Sequence, residues 1–476
     1  MKPLKIRDCQ KPMVDLITNL DRGNLFASPG TGKTSATLMA LASMSVADSD
    51  VFPALVVAPK RVANMVWADE IAQWRQLSGL EIVKVLGNEK ERTAALKTRA
   101  DIYTINYENL AWLHTVLDGR WPFKTVVADE STRLKNQRVH FRKYASGKIV
   151  QMVGRDGSKN AQALVRHAKQ TKHWYNLTGT PAANGLTDLW GQQWPVDFGE
   201  ALGSSFNSFK MRWFRNRFGS DSRYGIIEPL PHAFKEITSR LQSTSVVIDA
   251  YDYFDVKKPI ELDIFVELPD KVKAMYKKVH KEAVLEMASG NVTAVNAGSA
   301  LMKCRQIASG CIRDDNGIWH TLHKEKLQAV EELLEEINGE NLVIAYWFQH
   351  DLKALQNKFP QAVLLESNSR QKKVVDDWNN GKIPILLIHA QSAGHGLSLQ
   401  HGGRHLCVYT QDWNAEYYAQ VIERLGPIRQ AQSGYDRLVY VHRLIAKNTC
   451  EEAIAEKQKD KLTMDEAIRR AVAMEI

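Results

Sequence analysis

The run Ala27-Ser28-Pro29-Gly30-Thr31-Gly32-Lys33-Thr34 closes a short apolar segment, NLF, and opens a helix-forming one, SATLMALASM. Glycines at 30 and 32 let backbone N–H groups turn toward a phosphate, Lys33 reaches the β and γ phosphates of a nucleoside triphosphate, and the Thr34 hydroxyl is placed for Mg²⁺. Gly30, Thr31, Gly32, Lys33 and Thr34 are therefore the expected ATP contacts, with Ala27 standing where the pattern has its first glycine. Downstream, the apolar run TVVADE ends in two carboxylates. Asp129 is expected to hold Mg²⁺ through water, and Glu130 to orient and deprotonate the attacking water.

Such residues need strand ends and helix starts to position them. Short apolar runs bounded by turn residues alternate with helical stretches in both halves: ALVVAP, EIVKVL, DIYTIN, TVVADE and HWYNLTG early, NLVIAY, AVLLES, ILLIHA, HLCVYT and LVYVHRL late. That alternation predicts an α/β fold built twice, each time as a parallel sheet with crossover helices. A first lobe over 1–196, a longer, more helical inserted region over 197–310 and a second lobe over 311–476 are expected. The tail from Asn448 onward reads as an amphipathic helix.

The composition suits this architecture. The 476 residues are 44% hydrophobic and 25% charged, as in ordinary globular chains, and the net charge of +9 favours a polyanionic partner without naming one. No apolar run approaches the ~18 residues of a membrane span, and the N-terminus carries no apolar targeting segment. Five cysteines, Cys9, Cys304, Cys311, Cys407 and Cys450, show no CxxC spacing and fit a reducing, cytoplasmic setting. Cys304, Cys311, His320 and His323 are ligand types that zinc accepts, but they lack a close pair.

The extended signature DESTRLKN resembles that of superfamily two helicases, in particular the Swi/Snf-type, chromatin-remodeller-like branch of double-stranded DNA translocases. Further residues carry the resemblance along nearly the whole chain. IRDCQ is similar to that branch's Arg-x-Tyr-Gln segment, which implies that Arg7 and Gln10 serve the nucleotide, Gln10 reading the adenine. VVAPKRVANMVWADEIAQW has Pro59, Trp67, Glu70 and Trp74 in place, and LTGTPAANGLTDLW implies that Thr178, Gly179 and Thr180 couple the nucleotide site to DNA. NLVIAYWF resembles the motif that opens the second lobe, and HAQSAGHGLSLQ its fifth, with Gly394, Gly396 and Leu397; Gly396 is implied at the nucleotide. Trp413-Asn414 and Thr449-Cys450-Glu451-Glu452 fall where the branch keeps them. The resemblance implies two RecA-like lobes of P-loop NTPase type, with ATP and Mg²⁺ between them and duplex DNA across both. It implies a monomer similar to compact members carried by bacteriophages, hence a host cytoplasm.

Two departures bear on mechanism. In the sixth motif Gln420, Arg424 and Gln430 keep register, but the family's His-Arg pair is replaced by Gly426-Pro427. Arginines at a γ-phosphate are worth about 10³–10⁵ in turnover, so Arg429, swung by a turn at Gly426-Pro427, is the expected substitute beside Arg424 and Gln420. The family's Arg-Arg element near the end of the first lobe is also missing, with Ile248 and Asp249 in its place.

Between Ser131 and His173 stand eleven Lys and Arg against one acidic residue, Asp156. FRKYASGKIVQMVGRDGSKNA there has the alternation and Gly turns of a β-hairpin. Arg138, Arg142, Lys143, Lys148, Arg155 and Lys159 are expected to meet DNA phosphates. A second patch, FKMRWFRNRF, offers Lys210, Arg212, Trp213, Arg215 and Arg217, whose aromatic interleaving suits base stacking or packing on the lobe alike. The function expected is a DNA-dependent ATPase that translocates on double-stranded DNA and remodels DNA or protein–DNA complexes. The alternatives are a strand-separating DNA or RNA helicase and a catalytically weak DNA-binding scaffold.

Overall fold

The computed structural model of the chain describes residues 1, 3–47, 49–216, 227–288, 294–314, 316–366, 370–391 and 397–473, the side chains of 282–298 and 300 excepted. The chain divides into two compact units, one of Met1–Tyr253 with Leu462–Ile476, the other of Phe254–Lys461.

The first unit is built on a seven-stranded, all-parallel sheet in the order Ser245–Ile248, Arg22–Ala27, His173–Thr178, Thr125–Asp129, Ala54–Ala58, Ile102–Asn106, Ile82–Lys84. Its central strands read as unbroken apolar runs because helices cover both faces of a parallel sheet, and Ala54–Ala58, Ile102–Asn106 and Thr125–Asp129 are buried at every position. The order reverses around Arg22–Ala27, and crevices at the carboxyl ends of strands flanking such a reversal are where open α/β sheets bind ligands. The second unit repeats the scheme with six parallel strands: Ile260–Val266, Tyr440–Ala446, His405–Val408, Leu342–Tyr346, Ile385–His389, Val363–Leu364. Lys326 and Glu451, both fully buried, pair at 2.7 Å within it.

The helical insertion expected over 197–310 is not a separate body. Its first part supplies Ser245–Ile248 to the first sheet and its second part supplies Ile260–Val266 to the second. Neither strand is marked in the sequence: Ser245–Ile248, though mostly buried, has only four residues, and Ile260–Val266 is exposed at most positions. The tail helix, Cys450–Ala473, is the amphipathic element expected, and its distal part belongs to the first unit. There Ile468 and Val472 join the main apolar cluster. The Asp465 carboxylate accepts from Ala182 N at 2.7 Å, and burial raises its pKa to about 6.

Because Ile468 is fully buried among first-unit side chains, Ile468→Ala is expected to cost about 2–5 kcal/mol. Thermal melts should register the loss, while Val46→Ala, at an 89% exposed position, leaves the midpoint within error.

Candidate nucleotide and nucleic-acid sites

The strand Arg22–Ala27 leads through residues 28–32 into the helix Lys33–Ala47. Gly30 and Gly32 hold φ of 82° and 83°, a region that side-chain-bearing residues rarely adopt. A Cβ on Gly32 would lie 2.4 Å from Gln10 Nε2 and 2.5 Å from Arg7 Nη2, so glycine is required there for space as well. Those two side chains brace the loop. Arg7 donates to Thr31 O at 2.9 Å, and Gln10 Nε2 donates to Gly32 O at 3.0 Å and Ser35 Oγ at 3.1 Å. Gln10 Oε1 in turn accepts from Arg7 N at 2.9 Å. Lys33 Nζ caps the other side, donating to Ala27 O at 2.6 Å.

Asp129 ends the strand Thr125–Asp129, and its carboxylate accepts from Trp67 Nε1 at 3.1 Å. Burial pushes this carboxyl above the usual carboxylate range, with the nearby Lys33 ammonium and the Trp67 bond opposing. Trp67 follows a π-helical turn, Val62–Val66, a distortion that often marks functional sites. Glu130 sits at φ 58°, a conformation costly for a glutamate. Tyr107 Oη donates to Asp129 O at 2.9 Å and Glu130 O at 3.3 Å, fixing the peptide between the acids. Tyr107 gave no motif signal; its only clue is its place just after the buried strand Ile102–Asn106.

The strand His173–Thr178 brings the third motif beside this loop. A Cβ on Gly179 would lie 2.9 Å from Pro29 Cδ, so the motif and the loop are in direct contact. Thr178 Oγ1 accepts from Thr180 N at 3.2 Å and sets the turn. Where the Arg-Arg element was missing, Asp249 meets an arginine from far along the chain: Arg469 Nη1 lies 3.7 Å from Asp249 and 3.4 Å from Ser28 Oγ in the loop. Sequence periodicity places Arg469 on a helix but says nothing of this destination.

The nucleotide chemistry fits the cradle. Backbone donors at positive-φ glycines, a lysine on carbonyls that a phosphate would outcompete, and a buried strand-end carboxylate are groups suited to triphosphate and Mg²⁺. Thr34 is half-buried in the first helical turn.

In the second unit, Gly394 and Gly396 lie outside the described residues. The helix Ala415–Ile422, capped by Asn414, carries Gln420; Gly426 then breaks the chain direction, and Pro427 starts a new helix, Pro427–Gln432. Arg424 donates to Leu397 O at 3.3 Å and Arg429 to Ser398 Oγ at 3.2 Å. The two guanidinium groups thus reach adjacent residues, Leu397 and Ser398. Burial lowers the Arg429 pKa, with Glu423 opposing, and Arg429 Nε and Gln420 Oε1 are buried without hydrogen-bond partners among the described residues.

The basic segment forms the expected antiparallel hairpin, Val139–Lys143 with Ile149–Val153. Arg142, Lys143, Lys148, Arg155 and Lys159 are exposed, whereas Arg138 is half-buried and stacks on Phe206 at 3.7 Å. In the second patch, helix Phe206–Trp213 buries Phe209 and Trp213 in the core, so these aromatics pack and do not stack on bases. Lys210 is half-buried; Arg212 and Arg215 are exposed, 3.8 Å from Glu236 and Glu228 respectively. Arg217 lies outside the described residues. Cys304 and Cys311 are buried, His320 pairs with Asp314 and His323 bonds Ile307 O, so the four zinc-type residues do not gather.

Comparison with known proteins agrees with this geometry. The SNF2-related domain model matches residues 9–316 and the helicase conserved C-terminal domain model residues 325–429. A protein of Acyrthosiphon pisum secondary endosymbiont phage 1 is 41% identical over 475 residues, 99% of each chain. An ISWI chromatin-remodeling complex ATPase of Saccharomyces cerevisiae is 22% identical over 497 residues, covering 96% of this chain but only 39% of the longer yeast one. The solved SWI2/SNF2 ATPase core of Sulfolobus solfataricus in complex with double-stranded DNA aligns over 99% of this chain and 96% of that one, at 20% identity and a TM-score of 0.42. No helix among the described residues is long and apolar enough to cross a membrane. With its two parallel-sheet lobes, its braced phosphate loop and its buried strand-end carboxylate, the chain belongs to the SNF2-related family: it is a two-lobed RecA-like ATP hydrolase of the helicase class.

Proposed function

We propose that this chain couples ATP hydrolysis to translocation on double-stranded DNA, as a monomer, remodelling DNA or protein–DNA complexes. The observation that carries the proposal is that one unit joins a braced phosphate loop to an exposed basic hairpin, so nucleotide-driven movement of that unit is movement of a DNA-binding surface.

Lys33 exchanges Ala27 O for the β and γ phosphates of ATP. Thr34 and, through water, Asp129 would hold Mg²⁺, which would supply charge neutralisation at those phosphates. Glu130 takes a proton from the attacking water as its oxygen bonds the γ-phosphorus and the bond to the ADP oxygen breaks. Arg424 and Arg429 meet the charge on the transferring group, and Gln420 helps to orient it. An adenine contact from Gln10 requires its Nε2 to leave Gly32 or Ser35, so base binding and loop geometry are linked through one amide. Gly179, against Pro29, carries loop displacement into the strand His173–Thr178. Gly396 is proposed at the nucleotide by resemblance alone.

The test is ATP hydrolysis without DNA, with single strands, with blunt duplex and with forked duplex. Stimulation by duplex that Glu130→Gln abolishes is the expected outcome; stimulation mainly by single strands would make the chain a strand-separating helicase, and no turnover would make it a scaffold. Arg424→Ala and Arg429→Ala should each lower kcat by about 10³-fold or more, and full turnover in Arg429→Ala would remove that residue from the site. On the DNA side, neutralising Arg142, Lys143 and Lys148 together should flatten the slope of log affinity against log salt by about 0.9 per lost phosphate contact. An unchanged slope would return the hairpin to the status of a solvated face.

A further inference from the structure

The hairpin and the helix Phe206–Trp213 enclose a cleft of about 630 Å³, lined among others by Arg138, His140, Asp156, Phe206, Asn207 and Lys210. It lies wholly within the first unit, and none of these residues belongs to the nucleotide machinery. The volume lies in the range of sites that take one small organic ligand.

Arg138, which the basic run suggested as one more surface phosphate contact, is instead built in place. Its Nη1 donates to Lys135 O at 3.1 Å and Gln137 O at 2.6 Å, and its guanidinium lies 3.7 Å from the Phe206 ring centroid. Two glycines press on its stem: a Cβ at Gly154 would lie 2.7 Å from Arg138 Cβ, and one at Gly157 2.9 Å from Arg138 Cγ. Phe206 is held from behind by Trp190, with ring centroids 5.5 Å apart. Lys210 Nζ stands 5.4 Å from the same Phe206 ring.

A planar cation fixed on an aromatic ring is a platform for a nucleobase, since unstacked bases lie on guanidinium planes and aromatic faces. Lys210 supplies charge for the attached phosphate, while Asn207 and the Asp156 carboxylate offer a donor and acceptors for a base edge. One acid among these cations disfavours a bare polyphosphate. The phosphates of an intact duplex lie on a broad cylinder and suit exposed cations such as Arg142, Lys143 and Lys148; a half-buried arginine inside a cleft suits a base that has left its stack. The hairpin tip adds apolar surface where a strand would part, with Tyr144 41% and Ile149 58% exposed.

We infer that the cleft between the hairpin and the helix Phe206–Trp213 binds an unpaired nucleotide with its phosphate, supplied by the single-stranded arm of a branched or frayed DNA duplex, with Arg138 and Lys210 determining that preference. The inference rests on DNA being the ligand of this unit and adds the structure of the DNA selected.

The test is fluorescence anisotropy of the full chain with a labelled blunt duplex and with the same duplex carrying an oligo(dT) arm. The arm should tighten binding about tenfold, within the range one stacked base supplies. Lys210→Glu and, separately, Asn207→Ala should shrink that increment, Lys210→Glu to within about twofold of blunt duplex, while blunt-duplex affinity and duplex-stimulated ATP turnover stay at the wild-type level. Equal wild-type affinity for the two DNAs would overturn the inference, as would an arm increment that survives Lys210→Glu. Equal weakening on both DNAs would make Lys210 a duplex contact and overturn the inference while leaving the translocase reading standing. Loss of duplex binding by the wild-type chain itself would instead strike the translocase reading.

Discussion

Everything in the first unit is arranged around the need to hold a short phosphate loop open. Gly30 and Gly32 keep it in a left-handed geometry, and a loop of that kind left without side-chain bracing would lose ordering entropy at every turnover. Three segments distant in sequence and the helix that follows supply the support. Arg7 and Gln10 bond its carbonyls from the N-terminus, Lys33 bonds Ala27 O from the following helix, Gly179 packs on Pro29, and Arg469 reaches Ser28 Oγ from the C-terminal helix. Each support attaches to a region with its own task, so a shift of the loop on binding phosphate is felt by all of them. That convergence gives the nucleotide mechanical access to the rest of the unit.

The electrostatics of the site follow the same logic. Asp129 is buried at the end of a strand with no exposed position among its buried neighbours, and its desolvation is only partly met by Trp67 and Lys33. A buried carboxylate favours a positively charged partner, and the proposed Mg²⁺ role of Asp129 rests on that property. Glu130, one residue later, escapes the strand through a positive φ, and Tyr107 holds that turn by both carbonyls. Two adjacent acids thus acquire different environments from one backbone reversal, the condition under which adjacent carboxylates can take different roles.

The parts legible in the sequence were those whose physics is local. A Gly-rich turn between a strand and a helix, a carboxylate pair closing an apolar run, a hairpin with two Gly turns and a helix break at Gly426-Pro427 all declare themselves in a few consecutive residues. Interactions between distant segments do not. Amphipathic spacing shows that Ile468 and Val472 are buried but not against which core, and nothing in the tail marks Arg469 as a neighbour of Asp249. The interleaved aromatics of FKMRWFRNRF were ambiguous because packing and stacking use the same residues. Phe209 and Trp213 resolve to packing, while Arg138, which looked like one more surface cation, is the side chain the structure builds in. The strands Ser245–Ile248 and Ile260–Val266 were lost for want of length or burial, and with them the point where one unit gives way to the next.

The departure at the sixth motif is a change of backbone direction. On one continuous helix, Arg424 and a residue five positions on would point more than a full turn apart. Gly426, with φ −45° and ψ 152°, interrupts that helix, and Pro427 restarts it with the φ that the first helical position wants. The restart brings Arg429 to Ser398 while Arg424 stays on Leu397. Arg429 thereby lies next to the residue that Arg424 contacts, where helical spacing alone would not have sent it. Arg429 Nε and Gln420 Oε1 are buried without hydrogen-bond partners among the described residues, and buried polar groups left so call for a partner. The break that removes one arginine from the pattern is also the turn that brings Arg429 to Ser398.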